Sequence, residues 1–312
     1  MNSGAPYFYD YINAETSQVT PSTIHVRNTA LSAFFRRYLF QKAMSVFKWN
    51  LPENWEENYF LYTLYGFGYN AIIYTDKFGV IPQQCGLGGY SVQYQPTFVT
   101  IANPHFTGIK QPVIDEECVL MKLQPNYCGI VDIVSYYGDL MALASEAVSM
   151  NLVNSKLAYA FISGNKAGAE AMKKLYDKVA GGDPAVVYDK SYNNDDGSKP
   201  WETVFNNLRE NFITPDLLSA MKKIEAMFDT DIGIPNANTD KRERLITDEV
   251  NSNNAETLSK CALWLDQCQK SCNKVNKMFG NYLESPVSVD WRFKNNVKEV
   301  YDEELSNSER DI

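Results

Sequence analysis

The sequence is poor in the side chains that most metal and catalytic sites require. It contains only two histidines, His25 and His105, and none of its six cysteines forms a Cys-x-x-Cys pair. Structural zinc sites use four Cys or His ligands at short spacing, so we expect both histidines to be turn or surface residues. The cysteine pattern also predicts no disulfide framework, and it favours a reducing compartment such as a cytoplasm.

Enzyme motifs are also absent. The sequence has no Gly-x-x-x-x-Gly-Lys-Ser/Thr phosphate loop and no Gly-x-Ser-x-Gly turn, and the glycine-rich run at 86–89 lacks the lysine that follows in a phosphate loop. Two histidines leave little room for a serine or cysteine nucleophile with its base. We therefore predict that the protein is not an enzyme, binds no metal and needs no cofactor.

Long apolar runs are missing, since no stretch approaches the roughly 20 residues that span a bilayer. No secretory apolar segment opens the chain, so we expect no membrane contact and no export. Hydrophobic residues make up 45% of the chain and charged residues 21%. This composition is typical of a globular protein with one large domain or two moderate ones.

Basic residues are fewer than acidic ones. The chain has 29 Lys and Arg and 38 Asp and Glu, which gives a net charge of −9. Proteins that grip nucleic acid tightly usually have the opposite balance, because neutralised phosphates supply most of the affinity. The charge therefore argues against a tight, static DNA-binding protein. It is compatible with a surface past which DNA slides.

Apolar residues at helical spacing predict several amphipathic helices around a strand-rich region. The predicted helices cover about residues 28–47, 59–65, 130–152, 214–228 and 255–279. Short β runs bounded by turn signals predict a small antiparallel barrel or sandwich. These runs are residues 70–75, 80–85, 97–102 and 118–123.

The remaining pattern predicts a compact β-α-β insert at 157–189 and a last strand at 287–293. The insert consists of a strand at 157–163, a helix at 167–179 and a strand at 185–188. With the helices and strands above, the fold class is α+β. In the helix at 255–279, Cys261, Cys268 and Cys272 share the apolar stripe, so we expect them to pack in the core as small hydrophobic residues.

Two aspartates mark the end of the helix at 214–228. Asp229 and Asp231 stand where the helix dipole disfavours anions. One interpretation is that the helix ends before them in a solvated turn. The other is a metal-dependent nuclease in which Asp229, Asp231 and Asp240 hold a divalent cation.

The segment 233–254 has no apolar period and mixes charges of both signs, so we predict a long irregular loop. Loops of this length are uncommon in compact domains and are usually functional. The loop contains Lys241, Arg242 and Arg244, and taken alone it is either a solvated loop or a contact segment. The insert helix is mildly basic, with Lys166, Lys173, Lys174 and Lys178.

Three segments of this sequence resemble the portal, or upper collar connector, proteins of phi-29-like short-tailed bacteriophages. The most specific is Gly233–Val250, running into Asn251–Asn253, with its Asn-Ala-Asn, basic-acidic-basic and Thr-Asp-Glu-Val order. The other two are Phe47-Lys-Trp-Asn-Leu-Pro52, followed by Gly66-Phe-Gly-Tyr69 and Asn103-Pro104, and Ser285–Phe293. The resemblance covers roughly residues 27–293.

This resemblance implies a portal fold with long stem helices, a small β-barrel-like wing and a β-α-β clip, assembled as a ring. Carried onto this sequence, its parts are an N-terminal arm (1–27), the wing (28–128), a stem helix (129–155), the clip (156–202), a second stem helix (203–232), a channel loop (233–254), a wing helix (255–283), and a C-terminal strand with a crown tail (284–312).

The resemblance also implies a function in genome packaging and ejection. It predicts a ring of twelve copies at the capsid vertex of the virion, assembled in the host cytoplasm. The implied partners are double-stranded DNA in transit, a packaging ATPase, the major capsid and scaffold proteins, and a lower collar or tail protein. No Lys or Arg precedes Arg27, so we do not expect the arm to bind a packaging RNA.

Candidate contact residues follow from the implied parts. In the channel loop, Lys241, Arg242 and Arg244, with Asn236 and Asn238, are expected to contact DNA transiently. Weaker DNA candidates on the stem are Lys222 and Lys223. Weaker candidates for docking a motor or tail protein are the clip residues Lys166, Lys173, Lys174 and Lys178. A structural collar or tail protein that does not line the DNA channel is the remaining alternative.

Overall fold

The structure is a computed structural model that describes residues 29–155, 160–163, 201–204, 212–235 and 247–293, with the isolated positions 170, 173, 174 and 177. The chain forms two compact units. One unit comprises Met1–Leu143 with Lys222–Ile312, and the other comprises Ala144–Met221. The second unit is therefore an insertion in the sequence of the first.

Five helices lie within the described ranges: α1 (Thr29–Met44), α2 (Glu57–Phe67), α3 (Val131–Ser155), α4 (Thr214–Ile232) and α5 (Thr247–Phe279). Each matches a helix predicted from apolar spacing. The largest difference is at the start of α5, which begins at Thr247, eight residues before the predicted start, so the last part of the predicted irregular loop is helical. No described helix is both long enough and apolar enough to cross a membrane.

The strands between α2 and α3 form small separate sheets. Their bounds are β2 (Tyr69–Thr75), β3 (Gly79–Gln83), β4 (Gly86–Gly88), β5 (Phe98–Thr100) and β6 (Cys118–Lys122). Strands β3, β2 and β6 make a three-stranded antiparallel sheet in that order, and β4 pairs with β5 alone. The predicted β-barrel is therefore wrong, because no closed barrel forms across residues 69–122.

The glycine-rich run at 86–88 is a strand, although its composition is typical of a turn. The Phe98 ring on β5 covers Gly88 so closely that a Cβ there would lie 2.4 Å from Phe98 Cε2. Glycine at this position thus makes room for an aromatic ring on the neighbouring strand. Composition alone suggested a turn because it does not show where that ring lies.

Strand β1 (Phe47–Asn50) pairs antiparallel with β9 (Ser288–Trp291), so that Phe47 lies opposite Trp291. The strand near 287–293 was predicted, but β1 was not, and the predicted first helix included its first residue, Phe47. Helix α1 ends at Met44, and the chain turns through Ser45 and Val46 before the strand begins. The long-range partner, rather than the local sequence, makes residues 47–50 extended.

In the second unit, β7 (Ala160–Ser163) pairs antiparallel with β8 (Trp201–Val204). The first strand of the predicted insert is thus present, and residues 170, 173, 174 and 177 are helical as predicted. The predicted strand at 185–188 lies outside the described residues. Strand β8 was not predicted.

Helix α5 packs its cysteine stripe into the core of the first unit. Cys261 and Cys268 are fully buried and Cys272 is 3% exposed, so their predicted role as small core residues is confirmed. Burial raises the pKa of the Cys261 thiol to about 11 and that of Cys272 to about 12. Burial also raises the pKa of Cys268 well above its ordinary value of 9.0.

Because burial raises the pKa of these three thiols, we expect the protein to lose stability at alkaline pH. In the unfolded chain they ionise near pH 9.0, whereas the folded protein keeps them protonated to about pH 11 or above. Between those values the unfolded state binds fewer protons, so the free energy of unfolding falls as pH rises, by about 1.4 kcal/mol for each thiol at pH 10.

Urea unfolding at pH 8 and pH 10 measures this loss. The matched variant is Cys272→Ala, which lacks one of the three thiols. Its pH-dependent loss should be smaller than that of the wild type by about 1.4 kcal/mol. An equal loss in the two proteins would contradict the assignment to the buried thiols.

Two glycines permit a close crossing of the backbone in the first unit. Gly68 ends α2 in the left-handed conformation, with φ 90°, and its N–H donates to Leu64 O at 2.9 Å. A Cβ on Gly68 would lie 2.2 Å from the carbonyl carbon of Cys128, and one on Gly129 would lie 2.3 Å from Gly66 O. The end of α2 and the segment that leads into α3 therefore touch backbone to backbone.

Candidate functional site

The carboxyl end of α4 carries acidic side chains that bind α1. Lys42 Nζ lies 2.7 Å from Glu225 Oε1 and 2.8 Å from Asp229 Oδ2, and the Tyr38 hydroxyl donates to Glu225 Oε1 at 2.6 Å. Residues 38 and 42 are one turn apart on α1, as residues 225 and 229 are on α4. We call these four residues the Lys42 cluster.

The electrostatics of the Lys42 cluster are those of a structural ion-pair network. Burial opposes the charge of Lys42, but its two carboxylate partners outweigh burial and raise its pKa. Burial acts to raise the pKa of Glu225, yet hydrogen bonds from Lys42 and Tyr38 bring that pKa below its ordinary value. Asp229 is more deeply buried, and burial leaves its pKa raised despite Lys42. Lys42 is therefore held in its charged form between two carboxyl groups.

The second aspartate of this helix end faces other neighbours. The Tyr137 hydroxyl on α3 donates to Asp231 Oδ2 at 2.5 Å, and Lys260 Nζ on α5 lies 3.4 Å from Asp231 Oδ1. Burial first, and then the hydrogen bond to Asp231, raise the pKa of Tyr137. Asp231 thus joins the end of α4 to α3 and α5.

These contacts exclude one of the two interpretations of Asp229 and Asp231. Helix α4 continues to Ile232, and Asp229 is 8% exposed, so the solvated helix end is wrong. Lys42 and Lys260 offset the unfavourable position of the two carboxylates at the helix C-terminus. Asp240 lies outside the described residues, and within those residues no group of three His, Cys, Asp or Glu side chains could hold a metal ion.

Helix α4 ends at a glycine that is fixed from three directions. The Gly233 N–H donates to Thr230 O at 3.2 Å, and the Trp291 indole N–H donates to Gly233 O at 2.8 Å. Gly233 has φ 91°, and a Cβ there would lie 2.4 Å from Cys261 Sγ. The start of the predicted channel loop is therefore held against α5 and β9.

A buried carboxylate that the sequence did not reveal joins α1 to α3. Asp139 is 5% exposed, and both of its oxygens accept hydrogen bonds from Arg36 Nη2 at 2.9 Å. The Ser32 hydroxyl also donates to Asp139 Oδ1, at 2.5 Å. In sequence Asp139 falls off the apolar stripe of its helix, and only the i, i+4 pair Ser32 and Arg36 on α1 hints at a polar partner.

Some of the predicted contact residues lie within the described residues, and the others lie outside them. Lys222 and Lys223 are exposed on α4, and Lys173 and Lys174 are exposed at helical positions of the insert. At the start of α4, the Thr214 hydroxyl donates to Asn151 Oδ1 at 2.7 Å. Outside the described residues lie Lys166, Lys178, Asn236, Asn238, Lys241, Arg242 and Arg244. His105 is exposed in a turn, as predicted.

Two comparisons with known proteins bear on this chain. A family model described as Phage Connector (GP10) matches residues 15–293. Among solved structures, the portal and tail of native bacteriophage P68 contains a similar chain. That similarity covers 90% of this chain and 95% of the other, with 15% sequence identity and a TM-score of 0.45.

Proposed function

The chain belongs to the phage connector (GP10) family, and from that membership we propose that it forms a portal ring through which double-stranded DNA enters and leaves the capsid. A connector is a structural component of the virion that joins the head to the tail. The observation that carries the proposal is the family match, which runs from residue 15 to 293 and includes every described helix and strand.

The acidic charge supports a channel wall past which DNA moves. With a net charge of −9 for each copy, the ring repels the phosphate backbone over most of its surface. A few basic side chains then supply weak, salt-sensitive contacts. We assign these contacts to Lys241, Arg242 and Arg244, helped by Asn236 and Asn238.

Other parts of the chain receive roles by the same proposal. Lys222 and Lys223 are secondary DNA contacts on α4. Lys173 and Lys174, with Lys166 and Lys178, dock the packaging ATPase and later the tail protein. The remaining partners are the capsid and scaffold proteins, which surround a ring of twelve copies.

Electron microscopy and native mass spectrometry of the purified protein test the ring. We expect closed rings with an open central channel at micromolar concentration. Monomers or dimers alone would contradict the proposal. A closed assembly without a channel would identify a collar or tail component that does not line the DNA path. Incubation with linear DNA and magnesium tests the nuclease alternative, and we expect no cleavage.

Retention of DNA by packaged particles tests the loop. The triple variant Lys241→Ala, Arg242→Ala and Arg244→Ala should form normal rings but release packaged DNA several-fold faster, because it lacks three phosphate contacts for each copy. The matched control is Lys270→Ala with Lys277→Ala, which removes two exposed basic side chains of α5 that the proposal assigns to no partner. This control should retain DNA normally. Equal retention by the triple variant and the wild type would remove the role of the loop.

A further inference from the structure

An exposed pair of tyrosine rings, Tyr74 and Tyr282, lies on the first unit. The ring centroids are 4.6 Å apart, with an interplanar angle of 43°. This distance is at the short end of the range of about 4.5–7 Å for aromatic pairs. Tyr74 is 43% exposed and Tyr282 is 60% exposed. The two rings therefore contact each other while both stay accessible to small molecules in solution.

The backbone around Tyr74 is fixed by the sheet. Tyr74 is on β2, the central strand of the three-stranded sheet, and lies opposite Val80 of β3. In the turn that follows, the Thr75 hydroxyl donates to Gly79 O at 3.2 Å and accepts a hydrogen bond from Phe78 N–H at 3.1 Å. Only the side-chain rotamer is then left to set the position of the Tyr74 ring.

The backbone around Tyr282 is fixed by the end of α5. A short 3-10 helix, Gly280–Tyr282, follows α5 directly. The Asn276 side chain of α5 holds the segment beyond it, since Nδ2 donates to Val287 O and Oδ1 accepts from Val287 N–H, each at 2.8 Å. The two rings thus extend from regular elements that are distant in sequence and fixed in position.

Two other tyrosine pairs of the described residues lack this combination of contact and exposure. Tyr136 and Tyr137 are neighbours on α3 with ring centroids 5.1 Å apart, but Tyr137 is buried and donates its hydroxyl to Asp231. Tyr69 and Tyr127 have ring centroids 6.3 Å apart, and Tyr127 is buried. In each of these pairs one phenol is shielded from a reagent in solution.

From this geometry we propose that Tyr74 and Tyr282 are a site of oxidative cross-linking, at which a one-electron oxidant joins their rings as dityrosine. Each phenol gives one electron to the oxidant and its hydroxyl proton to water, which leaves two phenoxyl radicals. The radicals pair their electrons in a new bond between one carbon of each ring, ortho to the oxygen. The hydrogen on each of these carbons then moves to the phenol oxygen as a proton. The product lacks two hydrogen atoms, and the oxidant has gained two electrons.

Contact between the rings favours this coupling over other fates of a radical. A phenoxyl radical on a solitary tyrosine must wait for a second radical to diffuse to it. Here the partner is already in place, and well-oriented intramolecular reactions have effective concentrations far above those of proteins in solution. The new bond would tie the central strand of the sheet to the end of α5. Because such a covalent tie restricts the unfolded chain, the cross-linked protein should unfold at a higher urea concentration.

Photo-oxidation of the purified protein tests the site, with a ruthenium tris-bipyridyl complex and persulfate as the one-electron oxidant. We expect a single-chain product that lacks two hydrogen atoms, emits the blue fluorescence of dityrosine, and gives a cross-linked peptide containing residues 74 and 282 after proteolysis. Tyr74→Phe and Tyr282→Phe should each lower the yield of single-chain dityrosine at least about tenfold, because each removes one of the two phenols. Both side chains are exposed, so circular dichroism of the variants should not change.

The matched control is Tyr62→Phe on α2. Tyr62 is 47% exposed and its ring stacks on Phe40 at 5.5 Å, so it shares the exposure and the aromatic contact of the pair, but its stacking partner has no hydroxyl. This variant should give the wild-type yield. Oxidation of the wild-type protein in denaturing urea should lose the peptide that joins residues 74 and 282, because unfolding separates the rings.

Three results would overturn the inference. They are a wild-type yield from Tyr74→Phe or Tyr282→Phe, dityrosine that joins only different chains or other tyrosines, and an equal yield of the same peptide from unfolded protein. The contact lies within one subunit, so the experiment needs no ring. A protein that forms no ring contradicts the proposed function and leaves this inference to its own test.

Discussion

Replacing Gly68 with alanine is expected to lower the free energy of unfolding by about 3–5 kcal/mol. The new Cβ would lie 2.2 Å from the carbonyl carbon and 2.5 Å from the oxygen of Cys128. These are backbone atoms, so no side-chain rotation relieves the clash. Alanine at φ 90° adds the steric cost of a left-handed conformation.

Alanine substitutions at four glycines separate the two causes of the expected loss, which are the backbone clash and the positive φ. Gly129→Ala meets Gly66 O at 2.3 Å and tests the contact without a positive φ, whereas Gly108→Ala, at φ 73° with no neighbour within 4 Å, tests the backbone conformation alone. Gly86→Ala has neither problem and should change stability by less than about 0.5 kcal/mol.

Urea unfolding of all four variants at one protein concentration measures these effects, since assembly makes stability depend on concentration. Gly108→Ala should cost about 1 kcal/mol and Gly129→Ala about 2–3 kcal/mol. A Gly68→Ala protein as stable as Gly86→Ala would show that the backbone crossing is looser than described.

Replacing Arg36 with methionine is expected to cost about 3 kcal/mol. Asp139 would lose both hydrogen bonds from Arg36, although it still accepts one from the Ser32 hydroxyl, and its side chain is only 7% exposed. An uncompensated buried carboxylate is unfavourable because the interior solvates charge poorly. The Arg36 side chain is itself 39% exposed, which places the expected loss at the lower end of the range for buried ion pairs.

The second substitution Asp139→Leu should recover most of that loss, because it removes the buried carboxylate from which Arg36→Met has taken its cation. The control is Lys274→Met, which removes an ion pair to Asp115 whose two side chains are both more than half exposed. That change should cost less than about 1 kcal/mol. Equal losses in Arg36→Met and Lys274→Met, measured by urea unfolding, would contradict a special role for the buried pair.

The helices could be predicted because their apolar residues repeat locally. In α3, Val134, Tyr137 and Met141 are all buried, as the helical spacing indicated. Asp139 shows the limit of this reasoning. It lies off the apolar stripe, and its partner Arg36 is 103 residues away in sequence, so no local pattern reveals the contact.

The strands were harder to predict because their partners are distant. Phe47 continues the apolar stripe of α1, and only the pairing with β9 shows that residues 47–50 are extended. The barrel was inferred from the number and spacing of strands, which do not determine how sheets close. In Gly86-Leu87-Gly88, the local preference for a turn is overridden by the covering ring of Phe98.

The contact residues predicted in the loop after α4 lie outside the described residues and stay predictions. Asp229 and Asp231 were assigned to a metal or to solvent because Lys42 and Lys260 are remote in sequence. The early start of α5 had a local signal, since Thr247 is followed by Asp248 and Glu249 and acidic residues favour the first turn of a helix. The absence of an apolar period there concealed it.

The pairing of β1 with β9 has a consequence for the order of events in the cell. Phe47 and Trp291, which lie opposite each other, are separated by more than 240 residues of sequence. The first unit therefore completes this sheet only after the segment that contains Trp291 has been synthesised, whereas the inserted unit, Ala144–Met221, is synthesised before it. We therefore expect a nascent chain to lack the β1–β9 pairing until Ser288–Trp291 has left the ribosome.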